Sequence, residues 1–210
     1  MACPEQEETL LTLLVNKLGD PNDEVAKHTI QNLVRILKTH GNMTQVVTGE
    51  VRQQIERVKT QSIYHYISLL NKIVFFEDDI EFIASVVKLY FSQFKRLNKE
   101  KEEKHKNNIL TLILRGINNI VNNLDPGTLE STFKNVSEEI DALFKLTHSN
   151  SFNVQVESMK LIFHFIKVEE TLRDRYYRTL YNFISELTNV SALKLDSTFA
   201  LLYKSIKQDS

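Results

Sequence analysis

The chain has 210 residues, a formal net charge of −1 and 42% hydrophobic residues, enough for a continuous core but with no long-range field to draw it onto nucleic acid or an anionic membrane. Its 5 glycines and 3 prolines are too few to punctuate the short strands of a sandwich or barrel, and its one cysteine, Cys3, excludes a disulfide framework and a cysteine-based zinc site and fits a reducing compartment. No apolar run reaches the ~18 residues of a membrane span and the first residues lack the pattern of a signal peptide, so the expectation is a soluble, intracellular, all-α protein without membrane contact.

From Leu14 to Met43 the chain reads LVNKLGDPNDEVAKHTIQNLVRILKTHGNM, two apolar helical patterns separated by one Asp-Pro break. Asp20 is expected as the N-cap of the second helix, Pro21 as its first residue, and Asp23 and Glu24 as first-turn acids facing the positive helix end. Ala26, Ile30, Leu33 and Leu37 then lie on one face, and the helix is expected to stop near His40-Gly41. The same spacing recurs in Ile63, Ile67, Leu70 and Val74, and in Ile80, Ile83, Val87, Tyr90 and Phe94. Val25, Val34, Leu69 and Ile73 widen the stripes, as suits helices packed on two sides. The pairs spanning 22–57 and 62–97 make a unit of about 40 residues, the period of HEAT and armadillo arrays.

The next stretch, KRLNKEKEEKHKNN at 95–108, is polar and carries both signs of charge. After it, residues 109–124 form an apolar pattern containing Gly116, which costs ~1 kcal/mol against Ala unless a neighbouring helix comes close; close approach is the expected reason. In LDPGTLEST, Pro126 and Gly127 are expected to make a turn, with the following helix starting near Ser137-Glu138. Three more stripes follow: Val156, Met159, Phe163 and Ile166; Tyr177, Leu180, Ile184 and Leu187; and Leu195, Phe199, Leu202 and Ile206. The expected architecture is an irregular HEAT/armadillo-like α-solenoid of about nine to eleven helices, the alternative being a closed helical domain. Its expected organisation is N-terminal repeats at 1–97, a charged connector at 98–108 and C-terminal repeats of the same array at 109–210.

Catalytic vocabulary is sparse. His28, His40, His65, His105, His148 and His164 fall on different segments, none in a metal-ligand spacing, and there is no Gly-rich phosphate loop or G-x-S-x-G elbow. No catalytic residue, metal, cofactor or small-molecule substrate is therefore expected. The acidic triple Glu77, Asp78 and Asp79 reads as a cap for the helix starting at Ile80 rather than as an acid/base or Ca²⁺ site. Lys95, Arg96, Lys99, Lys101, Lys104 and Lys106 are candidates for RNA phosphates, against the plainer reading of a solvated connector. In RDRYYRTLY, Arg173, Arg175, Tyr176 and Arg178 are candidates for a partner or RNA surface; otherwise the tyrosines pack and the arginines form surface pairs, Arg178 with Asp174.

LVNKLGDP, HGNMTQVVTGEVRQ, VKLYFSQF, ILRGIN, LFKLTHSNSFNVQVESMKLIF, DRYYRTLY and LLYKSIK resemble, in order, segments of the CCAAT-binding factor family and look most like its nucleolar complex protein one branch. The resemblance runs from about Leu13 to Lys207; DRYYRTLY after THSNSFNVQ is its most specific part. It implies an α-solenoid ribosome-assembly factor of the nucleolus, acting on large-subunit precursors with pre-ribosomal RNA, ribosomal proteins and a second nucleolar complex protein as partners. Family members are much longer, so the chain looks like an excised or divergent fragment. His40-Gly41 stands where His-Pro is expected, and MACPEQEE matches nothing in the family. The family name also raises a DNA-binding transcription cofactor, and the helical repeat a general protein-binding adaptor.

Overall fold

The computed structural model describes residues 4–73, 79–99, 105–133, 137–187 and 192–209, and everything described as regular structure in them is helical. Among the described residues eleven α-helices follow one another: α1 (Pro4–Asn16), α2 (Asp23–Thr39), α3 (Thr44–Ile55), α4 (Thr60–Leu70), α5 (Ile80–Lys99), α6 (Lys106–Asn122), α7 (Pro126–Phe133), α8 (Ser137–Leu146), α9 (Phe152–Phe165), α10 (Arg173–Ser185) and α11 (Ala192–Asp209). They gather into two units, Met1–Ile120 and Val121–Ser210, the division falling within α6.

In the first unit helices pack on next-but-one neighbours, α1 on α3, α3 on α5 and α2 on α4, as well as in the adjacent pairs α1–α2 and α3–α4. Helices stacked this way need apolar residues on more than one side. Ala26, Ile30 and Leu33 of α2 are buried, as are Ile63, Ile67 and Leu70 of α4 and Ile83, Val87, Tyr90 and Phe94 of α5. Val25 and Ile80, included in those stripes, are exposed, and Val74 lies outside the described residues.

The Asp-Pro break works differently from the expectation. Asn22, not Asp20, caps α2, its Oδ1 accepting from the Glu24 amide at 3.0 Å. Asp20 sits one step earlier, accepting from the Asn22 amide at 3.0 Å, so the two side chains turn the chain in succession and Pro21 falls in the bend. Asp79 stands immediately before α5, its carbonyl accepting from the Ile83 amide at 3.0 Å, and its carboxylate accepts from Gln45 Nε2 at 2.6 Å, tying the start of α5 to α3, while Glu77 and Asp78 lie outside the described residues.

Gly116 of α6 is a point of close approach. A Cβ there would stand 2.6 Å from the Tyr90 hydroxyl and nearer still to Asn71 Oδ1. No described residue has a positive φ, so space, not backbone conformation, is what requires glycine here.

In the second unit α9 packs against α8, α10 and α11. Pro126 and Gly127 open α7 rather than forming a free turn, because Asp125 accepts from the Thr128 amide at 2.9 Å and caps the first turn. Val156, Met159, Phe163 and Ile166 are buried. The two last stripes are out of phase with the sequence reading. On α10 the buried set is Tyr176, Thr179, Leu180 and Phe183, whereas Ile184 is exposed; on α11, among the described side chains, it is Thr198, Leu201 and Ser205, while Phe199 and Ile206 face solvent and the side chain of Leu195 lies outside the description.

Candidate functional site

The charged stretch begins in the last turns of α5, and its described residues are part structure, part surface. Arg96 reaches across to the end of α3, donating Nη1 to the Ile55 carbonyl at 3.0 Å and Nη2 to the Val58 carbonyl at 2.7 Å. It thereby satisfies carbonyls that a helix end leaves without partners. Lys95 and Lys99 are exposed, Lys106 is half-buried in the first turn of α6, and Lys101 and Lys104 lie outside the described residues.

The α10 candidates also divide. Tyr176, expected at a partner or RNA surface, is wholly buried: its hydroxyl shares a 2.7 Å hydrogen bond with Ser205 Oγ, and burial raises its pKa. Tyr177 donates to the Ser205 carbonyl at 2.9 Å, and Arg173 to the Gln208 carbonyl at 3.3 Å, so this face of α10 fastens α11. Arg175 lies over the Phe144 ring at 3.9 Å and meets Asp141 Oδ1 at 2.5 Å. Arg178 is exposed and does not form the expected pair with Asp174.

A second polar constellation appears only in three dimensions. A pocket of about 440 Å³ in the second unit is walled by Val121, Leu124, Leu129, Phe163 and Val168, with His164, Lys167, Lys204 and Lys207 also lining it. Lys167 lies 4.9 Å above the Phe163 ring. Burial first, then the positive charges of Lys167 and Lys204, push His164 down to about 4, so its imidazole is neutral at physiological pH. Burial and Lys204 also hold Lys167 below the ordinary lysine range. The sequence reading missed this set because its members come from 121–129, 163–168 and 204–208; the only local trace is Lys204 and Lys207 sharing a helical face.

A groove of about 460 Å³ in the first unit, along α3 and α5, carries Arg52 and Lys88 beside Glu56 and Glu81 and is internally balanced in charge. Among the described residues no three His, Cys, Asp or Glu side chains gather as a metal ion would require, and no helix is long and apolar enough to cross a membrane.

Apolar side chains also stand in water at helical spacing. Phe199, Tyr203 and Ile206 are 60%, 69% and 67% exposed along one side of α11, and Leu10 and Leu13 are exposed on α1. Such stripes are where further helices pack.

No family model matches the chain. Relatives do, over nearly all of it. CCAAT/enhancer-binding protein zeta of Mus musculus is 32% identical over 208 residues, 98% of this chain and 19% of that protein. Ribosome biogenesis protein NOC1 of Chaetomium thermophilum is 27% identical over 244 residues, 99% of this chain and 23% of its own. Nucleolar complex protein 1 of Drosophila melanogaster is 25% identical over 210 residues, 99% of this chain and 18% of its own. The chain thus spans about a fifth of the length of the relatives it matches.

Proposed function

The chain belongs to the CCAAT-binding and nucleolar complex protein 1 family, and from that premise we propose that it is a non-catalytic scaffold of large ribosomal subunit assembly in the nucleolus. In this reading it is an α-solenoid that holds pre-ribosomal RNA and a second nucleolar complex protein in fixed relation. The observation that carries the proposal is the match across nearly the whole chain to proteins named for ribosome biogenesis and for a nucleolar complex.

The physical features agree with it. Next-but-one packing in the first unit is how helical repeats build an extended surface, and the apolar stripe of α11 offers a face for a partner's helix. Exposed Lys99 and Arg178 are available to phosphates, whereas Arg96 is committed to the carbonyls at the end of α3.

The test is affinity purification from nuclear extract with and without RNase. Retention of a nucleolar complex protein in both, with pre-ribosomal RNA in the untreated sample, supports the scaffold; a set of transport cargoes with neither would favour a general adaptor. The name of the mouse relative favours a second reading, contact with duplex DNA. A gel shift at one stated salt, comparing a CCAAT duplex with structured RNA, decides it: tighter binding to the duplex would put transcription first.

A further inference from the structure

Three lysines, Lys167, Lys204 and Lys207, line the pocket of the second unit, and no described carboxylate does. Lys204 and Lys207 come from one face of α11 and form no ion pair with any described residue, while Lys167, just past the end of α9, rests on the Phe163 ring at 4.9 Å. Among the described residues no carboxylate offsets the charge that Lys204 presents to Lys167. Burial first, and then the charge of Lys204, hold Lys167 below the ordinary lysine range, and a bound anion would relieve the second of these.

The walls decide which anion. Leu124 is half-buried and Val168 is 38% exposed, so the pocket offers aliphatic surface beside its cations. A phosphodiester strand brings charge but no aliphatic group to cover them. Its bases would need an open aromatic face, and Phe163 is buried beneath Lys167. A polypeptide supplies both chemistries from neighbouring side chains.

We propose that this pocket binds an acidic segment of a partner polypeptide, in which Asp or Glu side chains flank an aliphatic one: the carboxylates meet Lys167, Lys204 and Lys207, and the aliphatic side chain covers Leu124 and Val168. The assignment deepens the scaffold reading by naming one partner chemistry, yet rests on the pocket alone.

The experiment is fluorescence anisotropy of the whole chain with a fluorescein-labelled peptide repeating Asp-Glu-Leu. The expected result is saturable binding that weakens with salt, and that falls about tenfold in the Lys167→Glu, Lys204→Glu double variant while circular dichroism is unchanged. Replacing Leu by Ser in the peptide should weaken binding too. Should the double variant unfold, Lys207→Gln, at an exposed side chain, must show the same direction. Absence of saturable binding, or affinity indifferent to these lysines, overturns the proposal. So does tighter binding of an oligouridine of equal charge that the same substitutions abolish, which would make the pocket an RNA site. Peptide binding by a chain that never joins ribosomal precursors would uphold the pocket and sink the assembly reading.

Discussion

Tyr90 donates its hydroxyl hydrogen to Asn71 Oδ1 at 2.6 Å, and Asn71 in turn donates Nδ2 to the Leu112 carbonyl at 2.8 Å, so one buried side-chain bridge joins α5, the end of α4 and α6. Gly116 leaves the room for it. Tyr90→Phe should destabilise the chain by ~1–3 kcal/mol, because Asn71 Oδ1 loses its buried donor. Gly116→Ala should also destabilise, by a similar ~1–3 kcal/mol of overpacking that outweighs the ~1 kcal/mol gain in helix propensity. Urea midpoints measure both; an alanine variant more stable than the parent would remove the close-approach account of Gly116.

Core and surface substitutions should separate cleanly. Leu33 and Phe163 are buried, and each alanine replacement should cost ~2–5 kcal/mol. Phe199→Ala, at an exposed position of α11, should stay within ~0.5 kcal/mol in the isolated chain. Equal losses at Phe163 and Phe199 would contradict the observed phase of α11.

The phase of the last two helices is where the sequence was least readable. Helix existence and several stripes could be read from spacing: Ile63, Ile67 and Leu70, or Val156, Met159 and Phe163, are buried as their periodicity demands. On α11 apolar residues occupy so wide an arc that Phe199 and Ile206 were indistinguishable from core. The buried edge instead contains Thr198 and Ser205, which hydrogen bonding makes tolerable there: Ser205 Oγ donates to the Leu201 carbonyl at 2.9 Å and meets Tyr176. Local pattern cannot show a partner 29 residues away. For the same reason the lysine pocket, drawn from three segments, left only the spacing of Lys204 and Lys207 in the sequence.

His164 gives a pH dependence with a definite sign. Its folded value is about 4 against an ordinary 6.5, with Lys167 and Lys204 the charged groups that add to burial. The unfolded chain therefore takes up the proton first. The contribution is fully present above pH 6.5 and is lost as the pH falls toward 4. In chemical denaturation across that range, His164→Gln should lose less stability than the parent as pH drops; identical slopes would show that His164 protonates freely in the folded chain.

The connector lysines make a separate prediction. If Lys99, Lys101 and Lys104 touch RNA phosphates, reversing all three to Glu should weaken RNA binding and flatten its salt dependence by up to ~0.7 log units per lost contact. Unchanged affinity and slope would assign these residues to solvent and shift attention to Arg178 and the lysines of the second unit.

The scaffold account is tested most directly by sedimentation. The tagged chain, expressed in cells, should migrate through a sucrose gradient with large-subunit precursors and crosslink to a defined region of their ribosomal RNA. A chain that stays at the top of the gradient, or that crosslinks to no ribosomal RNA, would contradict it.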